Sequence, residues 1–330
     1  MSGKGWSVMK TDRRHFMGPI AGMAAVASTS LGASGSAMPQ VELPGCGIKM
    51  SRLGFGTGTV GGLTKQSVWA KRNGNKKASM SSAEAEQLFL QSYDRGITFF
   101  DLAEAYGTHG FCRDALKKVP REKVALMTKF WWRAQSQTPG KLSVREREQF
   151  ARDAFERYLR ELNTDYIDML QIHQQVGDKR GKYQFRNNPP EFAPRLDFHD
   201  CIDFVHNVDH LIQSGKIRFI GLTGWDGDYK TLKMLLESGK FSSIQILYNV
   251  LNQTANGKHI ISNSDCNQGS GNGSGSILDL AHANNIAVLG IRSLANGAIV
   301  DNLNRKLNQQ DKVSIDHRQA KELKAILRRE

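Results

Sequence analysis

Four polar side chains stand at or just after the ends of apolar, strand-like runs in this chain of 330 residues. Asp101 ends "ITFFD" with Tyr106 five positions later, Lys129 ends "KVALMTK", and His173 ends "DYIDMLQIH". The ordinary pKa of a phenol is about 10, so donation of a proton near neutral pH needs a cation beside it. Lys129 can be that cation, Asp101 can keep it charged, and His173 can bind the same substrate oxygen. These residue types predict a proton donor at an oxyanion site.

The four residues include no activated nucleophile, and their chemistry requires a hydride. No side chain supplies a hydride, so a nicotinamide cofactor is implied. A lyase that uses Lys129 as a Schiff-base amine is the rival chemistry, but it needs a neutral amine, and Asp101 opposes that. The four cysteines contain no C-x-x-C pair, and no metal site is predicted.

Helices and strands alternate from about residue 80 onward, which predicts parallel strand pairing. Their near-continuous apolar character indicates that both faces of the sheet are covered. Seven strands are predicted, in "LGFGT", "ITFFD", "KVALMTK", "DYIDMLQIH", "IRFIGLT", "SIQILYN" and "IAVLGI". We therefore predict the α/β class and a (β/α)8 TIM barrel, which gathers the carboxyl ends of its strands around one axis. An open doubly wound sheet is the alternative, but "GFGTGTVGG" is not followed by the helix that a dinucleotide fingerprint needs.

The flanking segments refine this barrel prediction. Ser81 and Glu84 form an S-x-x-E capping box at the start of one helix, and "EQFARDAFERYLREL" has the apolar spacing of another. Long loops at 58–80, 174–200 and 254–276 follow strands, where a barrel carries its active site. The chain ends in the helical "HRQAKELKAILRRE" without a clear eighth strand, so the last β/α unit is predicted to be incomplete.

These motifs resemble those of the aldo-keto reductase family. The family's D-x-x-x-x-Y-G pattern runs from Asp101 to Gly107, its lysine stands in "TKF" and its histidine in "QIH". The similarity extends from about residue 50 to 300 through "RLGFGT", "GKIRFIGLTG" and "SIQILYN". It implies a barrel that reduces an aldehyde or ketone, or oxidises an alcohol, with NADP favoured over NAD. Tyr106 would be the proton donor of a catalytic set completed by Asp101, Lys129 and His173.

The same resemblance assigns the cofactor-binding residues. Gly56 and Thr57 would line the nicotinamide end of the cofactor site. Thr223 and Gln245 would bind the nicotinamide carboxamide, and Asn249 would support the part of the site that these two residues form. Gly224 stands where the family often has Asn. "GIRSL" replaces the family's A-Y-S-P-L, so an aliphatic contact replaces ring stacking and Arg292 would face the phosphates. The family's adenosine-binding cluster has no clear counterpart. A catalytically weak or inactive barrel that binds a cofactor or regulates is therefore the alternative function.

The first 37 residues resemble a twin-arginine export signal. Arg13 and Arg14 precede His15, Phe16 and Met17, and a mildly apolar run with small residues follows. This predicts a signal peptide over 1–37, the twin-arginine export machinery as a partner, a periplasmic or exported location, and a barrel domain over 38–330. A disordered cytosolic tail is the alternative.

The formal net charge is +13, which indicates attraction to anions or simply a solvated basic surface. No stretch interleaves aromatic residues with Arg and Lys, so no nucleic-acid partner is predicted. We expect a monomer that acts on a small carbonyl or alcohol. Trp131, Trp132 and Trp225 follow predicted strands and fit either an apolar substrate wall or loop packing.

Overall fold

The computed structural model describes residues 38–58, 80–132, 142–177, 196–224, 227–257, 275–295, 298–299 and 320–321. The described helices and strands belong to the compact unit Gln40–Glu330. The predicted signal peptide, Trp225 and most of the predicted incomplete last unit lie outside the described residues. Within the described ranges no helix has the length and apolarity to cross a membrane, and no two cysteines there form a disulfide.

A β-hairpin precedes the barrel. Strand β1 (Gln40–Glu42) pairs antiparallel with β2 (Lys49–Ser51), and the backbone N–H of Gly47 donates to the carbonyl of Leu43 at 3.0 Å within the turn. Gly47 has φ +63°, a left-handed conformation that glycine adopts without strain. This hairpin was not predicted from the sequence.

In the part of the chain that the structure describes, seven parallel strands form one sheet in chain order, and the predicted parallel pairing of these seven segments is confirmed. Register places Gly56 beside Asp101, and Lys129 beside Gln171. The strands are β3 (Gly54–Gly56), β4 (Phe99–Asp101), β5 (Ala125–Phe130), β6 (Ile167–Ile172), β7 (Ile217–Thr223), β8 (Ser243–Leu247) and β9 (Ala287–Ile291).

Helices connect successive strands, as a parallel sheet requires. The predicted capping box of Ser81 and Glu84 is present, and a second one, formed by Ser143 and Glu146, opens the longest helix. The helices are α1 (Ser82–Asp94), α2 (His109–Leu116), α3 (Val144–Leu162), α4 (Phe198–Gln213), α5 (Tyr229–Glu237) and α6 (Ile277–Ala283). A 3-10 turn over Glu104–Tyr106 lies between β4 and α2, and another spans Arg121–Lys123.

The sheet curls so that its inner face meets itself, as in a (β/α)8 barrel. Asp101 of β4 is hydrogen-bonded to Gln245 of β8, although three strands separate β4 from β8 in the sheet. Apolar side chains fill the interior toward the amino ends of the strands, and the hairpin contributes to them. This inner cluster contains Leu43, Ile48, Met50, Phe99, Ala125, Met127, Met169, Ala287 and Leu289. The polar carboxyl ends are therefore left as the chemical face.

An ion cluster ties the amino ends of the central strands together. The carboxylate of Asp168 accepts hydrogen bonds from Arg121 at 2.8 Å, Arg218 at 2.8 Å and the backbone N–H of Leu126 at 2.9 Å. Asp168 is buried, and its two oxygens share these three donors. The cluster links β5, β6 and β7 at the end of the sheet opposite Lys129.

Candidate active site

Lys129 is the buried centre of the site. Its side chain lies on the inner face of β5 and is 1% exposed. The ammonium donates to Oδ1 of Asp101 and to the carbonyl oxygen of Leu102 at 3.0 Å. An ammonium this deeply buried needs a paired anion, and Asp101 supplies it. The predicted Asp101–Lys129 pair is therefore present at the carboxyl ends of β4 and β5.

Tyr106 is placed over this ion pair by the 3-10 turn that follows β4. Gly107 ends the turn at φ +66°, a left-handed conformation that suits glycine. The Lys129 ammonium lies 4.9 Å from the centre of the Tyr106 ring. A Cβ atom at Gly58 would lie only 3.3 Å from Cζ of Tyr106, so the backbone of residue 58 closes over the phenol. This contact was not predicted.

His173 completes the predicted set. Its ring meets that of Tyr106 edge to face, with centroids 5.5 Å apart and planes at 84°. Trp131 also packs against His173, with ring centroids 5.5 Å apart. Within the described part of the chain, Nδ1 of His173 is buried without a hydrogen-bond partner. A ring proton on Nδ1 would therefore be unsatisfied, and this favours the tautomer with its proton on Nε2.

The pKa shifts follow from burial and from the charge of Lys129. Burial alone would lower the pKa of Lys129, but Asp101 and Tyr106 together raise it above its ordinary value. Burial raises the pKa of Tyr106, Lys129 opposes that shift, and the pKa stays above the ordinary value. Burial and the nearby Lys129 hold the pKa of His173 well below its ordinary value. The site thus combines a charged lysine, a protonated phenol and a neutral histidine near pH 7.

Lys129 affects Tyr106 less than the sequence predicted. The sequence predicted a phenol more acidic than usual, whereas the pKa of Tyr106 lies above its ordinary value. The physical reason is desolvation, because a buried phenolate loses more hydration than one ammonium restores. Lys129 still lowers the pKa of Tyr106 relative to a site without the cation.

Two predicted carboxamide ligands stand side by side at the carboxyl ends of β7 and β8. Thr223 and Gln245 are register partners. The Gln245 Nε2 donates to Oδ2 of Asp101 at 2.7 Å, and the carbonyl end of this amide is a further acceptor. The Thr223 hydroxyl is buried and has no hydrogen-bond partner among the described residues. An unpaired hydroxyl beside an amide matches the donors and acceptors of a carboxamide.

The other predicted cofactor residues have different surroundings. Gly56 is exposed, with open space where a Cβ atom would lie. Thr57 is fully buried, and its hydroxyl bonds the carbonyl oxygen of Asp101 at 2.8 Å and the hydroxyl of Thr108 at 2.9 Å. Asn249 accepts two backbone N–H bonds within its own turn, each 2.9 Å long. Arg292 directly follows β9 with φ +57° and is partly buried.

Trp131 and Trp132 have different surroundings. Trp131 lies against His173, where a substrate wall would be. Trp132 is fully buried and packs between Phe150 and Phe204, so the loop-packing alternative holds for it. His109, which was not predicted from the sequence, joins Glu161 to Thr128 behind the site. The only signal in the sequence was its position three residues after Tyr106.

Comparisons with known families agree with this geometry. The sequence profile described as "Aldo/keto reductase family" matches residues 52–327. The NADH-specific methylglyoxal reductase of Escherichia coli (strain K12) is 27% identical over 226 residues, covering 66% of this chain and 60% of that protein. Probable aldo-keto reductase 1 of Glycine max is 27% identical over 187 residues, covering 56% of this chain and 44% of that protein. The matches span about half the length of these relatives.

Solved structures show the same fold at low sequence identity. A thermostable aldo-keto reductase in complex with the inhibitor epalrestat superposes with a TM-score of 0.54 at 19% identity, over 88% of this chain and 80% of that chain. The Bombyx mori aldo-keto reductase in complex with NADP superposes with a TM-score of 0.52 at 17% identity, over 84% and 74% of the two chains. At these identities the likeness establishes the barrel fold.

Proposed function

This chain belongs to the aldo/keto reductase family, and on that basis we propose that it reduces an aldehyde or ketone with a nicotinamide cofactor. Tyr106 donates the proton, and the reverse reaction oxidises the corresponding alcohol. The observation that carries the proposal is the contact of three groups at one barrel mouth. Lys129 is paired with Asp101 and lies 4.9 Å from the centre of the Tyr106 ring, and His173 meets that ring edge to face with centroids 5.5 Å apart.

The residues present fit the nicotinamide end of the cofactor. Thr223 has a buried hydroxyl without a partner among the described residues, and Gln245 beside it presents an amide. Gly56 leaves open space at the end of β3. When bound, NADPH or NADH would supply a hydride to the carbonyl carbon. NADP(H) is the proposed cofactor, and NAD(H) is the alternative because the relative from Escherichia coli is named NADH-specific.

The side chains supply the proton and fix the position of the carbonyl oxygen. The oxygen gains negative charge as the carbon accepts the hydride, and the Tyr106 hydroxyl gives it a proton. Neutral His173, protonated at Nε2, donates a hydrogen bond to the same oxygen. The phenolate left behind is stabilised by the adjacent Lys129 ammonium, whose own charge Asp101 maintains. Trp131 borders His173 and forms an apolar wall for the substrate.

The rival lyase chemistry is disfavoured by the state of the lysine. A Schiff-base lysine attacks as a neutral amine. In this site the pair with Asp101 raises the pKa of Lys129 despite its burial. The amine is thus held charged, which suits electrostatic support of Tyr106 and does not suit nucleophilic attack.

We extend the proposal to location: the twin-arginine motif of Arg13 and Arg14 supports export of the folded protein to the periplasm or beyond. This route suits a barrel that must bind its cofactor before it crosses the membrane.

The test of the proposed activity is cofactor binding followed by turnover. The quenching of tryptophan fluorescence is titrated with NADPH and with NADH. Oxidation of the cofactor that binds more tightly is then followed by its absorbance, with a panel of aldehydes and ketones that includes methylglyoxal. Binding with turnover supports the proposal. Binding without turnover would favour the regulatory alternative, and no binding of either cofactor contradicts the proposal.

A further inference from the structure

A buried polar chain runs behind the active site, on the outer side of β5. Nε2 of His109 lies 2.8 Å from the hydroxyl of Thr128, and Nδ1 lies 2.7 Å from Oε2 of Glu161. His109 and Thr128 are both buried, whereas Glu161 on α3 is partly exposed. The His109 ring also meets Tyr158 edge to face at 5.2 Å. His109 therefore joins a helix to the strand that carries Lys129.

Helix α3, which carries Glu161, also contacts the chain just before Tyr106. Arg157 donates to Glu104 at 2.7 Å, and its Nε lies 3.6 Å from Glu161. Glu104 begins the 3-10 turn that ends at Tyr106, and His109 begins α2 three residues after the phenol. Helix α3 thus fixes the chain both before and after Tyr106.

Thr128, the residue of β5 that His109 contacts, directly precedes Lys129 in the strand. Side chains alternate between the two faces of a strand, so Thr128 points toward the helices while Lys129 points into the barrel. A bond that fixes Thr128 therefore fixes the backbone from which Lys129 projects. His109 follows Tyr106 by three residues in the sequence, and it is hydrogen-bonded to Thr128, the neighbour of Lys129. It therefore links the two catalytic groups.

We propose that His109 is a positioning residue that sets the distance between the Tyr106 phenol and the Lys129 ammonium. It acts through its bond to Thr128, with Glu161 orienting its ring from α3. This inference rests on the proposed function of Tyr106 and Lys129. A nucleophilic role for Thr128 is disfavoured because its side chain is fully buried on the face away from the barrel interior.

The test compares variants that remove one or both of the side-chain contacts of His109. His109→Leu removes both contacts, and Thr128→Val removes the strand contact with little change of shape. His109→Gln keeps an amide near the position of Nε2, and His109→Asn keeps one near the position of Nδ1. His210→Leu is the matched control, because His210 also faces a glutamate, Glu148 at 3.7 Å, but joins two helices away from β5.

We expect His109→Leu and Thr128→Val to lower kcat about tenfold or more, because small displacements of catalytic groups are costly, with the KM values within about threefold of wild type. His109→Gln should recover more kcat than His109→Asn, and His210→Leu should match wild type. In a Tyr106→Phe background, His109→Leu should cost little more, because the two changes act on one unit. A purely structural role would lower thermal stability without this pattern.

A second measurement does not depend on turnover. The Tyr106 resonance in protein labelled with 13C-tyrosine, assigned by its loss in Tyr106→Phe, reports the pKa of the phenol. His109→Leu should raise that pKa further, because Lys129 no longer sits as close. An unchanged Tyr106 pKa together with unchanged kcat in His109→Leu and Thr128→Val would overturn the inference and leave the proposed function standing. If wild type neither binds nor oxidises NADPH or NADH, the proposed function fails, and the resonance still tests the positioning.

Discussion

The side chain of Gln245 donates a hydrogen bond of 2.7 Å to Oδ2 of Asp101 from the far side of the barrel mouth. The other carboxylate oxygen of Asp101 is bound to Lys129, so the two oxygens have separate partners. This fixes the plane of the carboxylate, and through it the position of the ammonium. Gln245 therefore connects the expected carboxamide site to the ion pair beneath Tyr106.

Substitution of Gln245 should reveal this connection. Loss of a hydrogen bond to a charged group costs about 1.5–3 kcal/mol, so Gln245→Leu should lower kcat by about tenfold or more. Gln245→Glu keeps the contact only while the new carboxyl holds a proton, so its kcat should fall as the pH rises from about 5 to 8. Gln171→Leu makes the same change in the barrel interior without contact to Asp101 and should keep a profile like wild type. Identical pH profiles for wild type and Gln245→Glu would contradict the connection.

Tyr106 and Lys129 should behave as one catalytic unit. Tyr106→Phe removes only the hydroxyl, so folding and NADPH binding should survive while kcat falls by about 10²-fold or more. Lys129→Met should also lower kcat strongly, because the phenol loses the cation that stabilises its ionised form. The double variant should lose little beyond either single one. The check is kcat of the three variants beside NADPH titrations; near-wild-type kcat in Tyr106→Phe would contradict the assignment of the donor.

The strands, and the polar residues that stand at their carboxyl ends, were predictable because each depends on local sequence. Runs such as "VALMT" carry the strand signal, and Lys129 at the end of that run is polar where the pattern demands an apolar residue. The partner of Gln245 was not predictable, because it depends on how far the sheet curls to bring β8 opposite β4. His109 escaped notice for a similar reason, since its partners Thr128 and Glu161 become neighbours only after folding. The sign of the Tyr106 pKa shift likewise depends on burial, which sequence spacing does not report.

His173 should make the protein less stable in acid. Its pKa in the folded state lies well below the ordinary value near 6.5, because burial and Lys129 disfavour the cation. Below about pH 6.5 the unfolded chain binds a proton at this residue that the folded chain does not bind, so the free energy of unfolding falls as the pH drops from about 6.5 toward the folded pKa. The loss in the free energy of unfolding between pH 7.5 and pH 5, measured in urea, should be smaller in His173→Gln. His282→Gln, at an exposed histidine on α6, should show the full wild-type loss.

Export should depend on the paired arginines. Twin-arginine signals are read by a receptor through these two residues, so changing both Arg13 and Arg14 to Lys should retain the protein inside the cell although the charge is unchanged. Changing Lys4 and Lys10 to Arg leaves the arginine pair intact and serves as the control. Fractionation and immunoblotting of periplasm and cytoplasm measure the outcome. Equal export of the double Lys variant and the wild type would contradict the twin-arginine assignment.

Asp168 should matter for stability and not for chemistry. It lies at the amino ends of the strands, is 4% exposed, and accepts bonds from Arg121, Arg218 and a backbone N–H. Removing Asp168 leaves these donors without their buried acceptor, so Asp168→Ala should lower the free energy of unfolding by about 2–4 kcal/mol. This value is smaller than for a fully buried ion cluster, because the side chain of Arg218 is 45% exposed to solvent.

Asp114 provides the matched control for Asp168, because it also pairs with two cations, Arg113 and Lys117, but on the surface. Exposed pairs contribute about 0–1 kcal/mol, so Asp114→Ala should cost far less in chemical denaturation. The low pKa of Asp114, about 2, does not alter this expectation, because solvent screens a pair that is this exposed. At a temperature where both variants are folded, kcat of Asp168→Ala should equal that of wild type, since the cluster lies at the opposite end of the strands from Lys129. A large fall in kcat at full folding would show that the amino end of the barrel also positions the site.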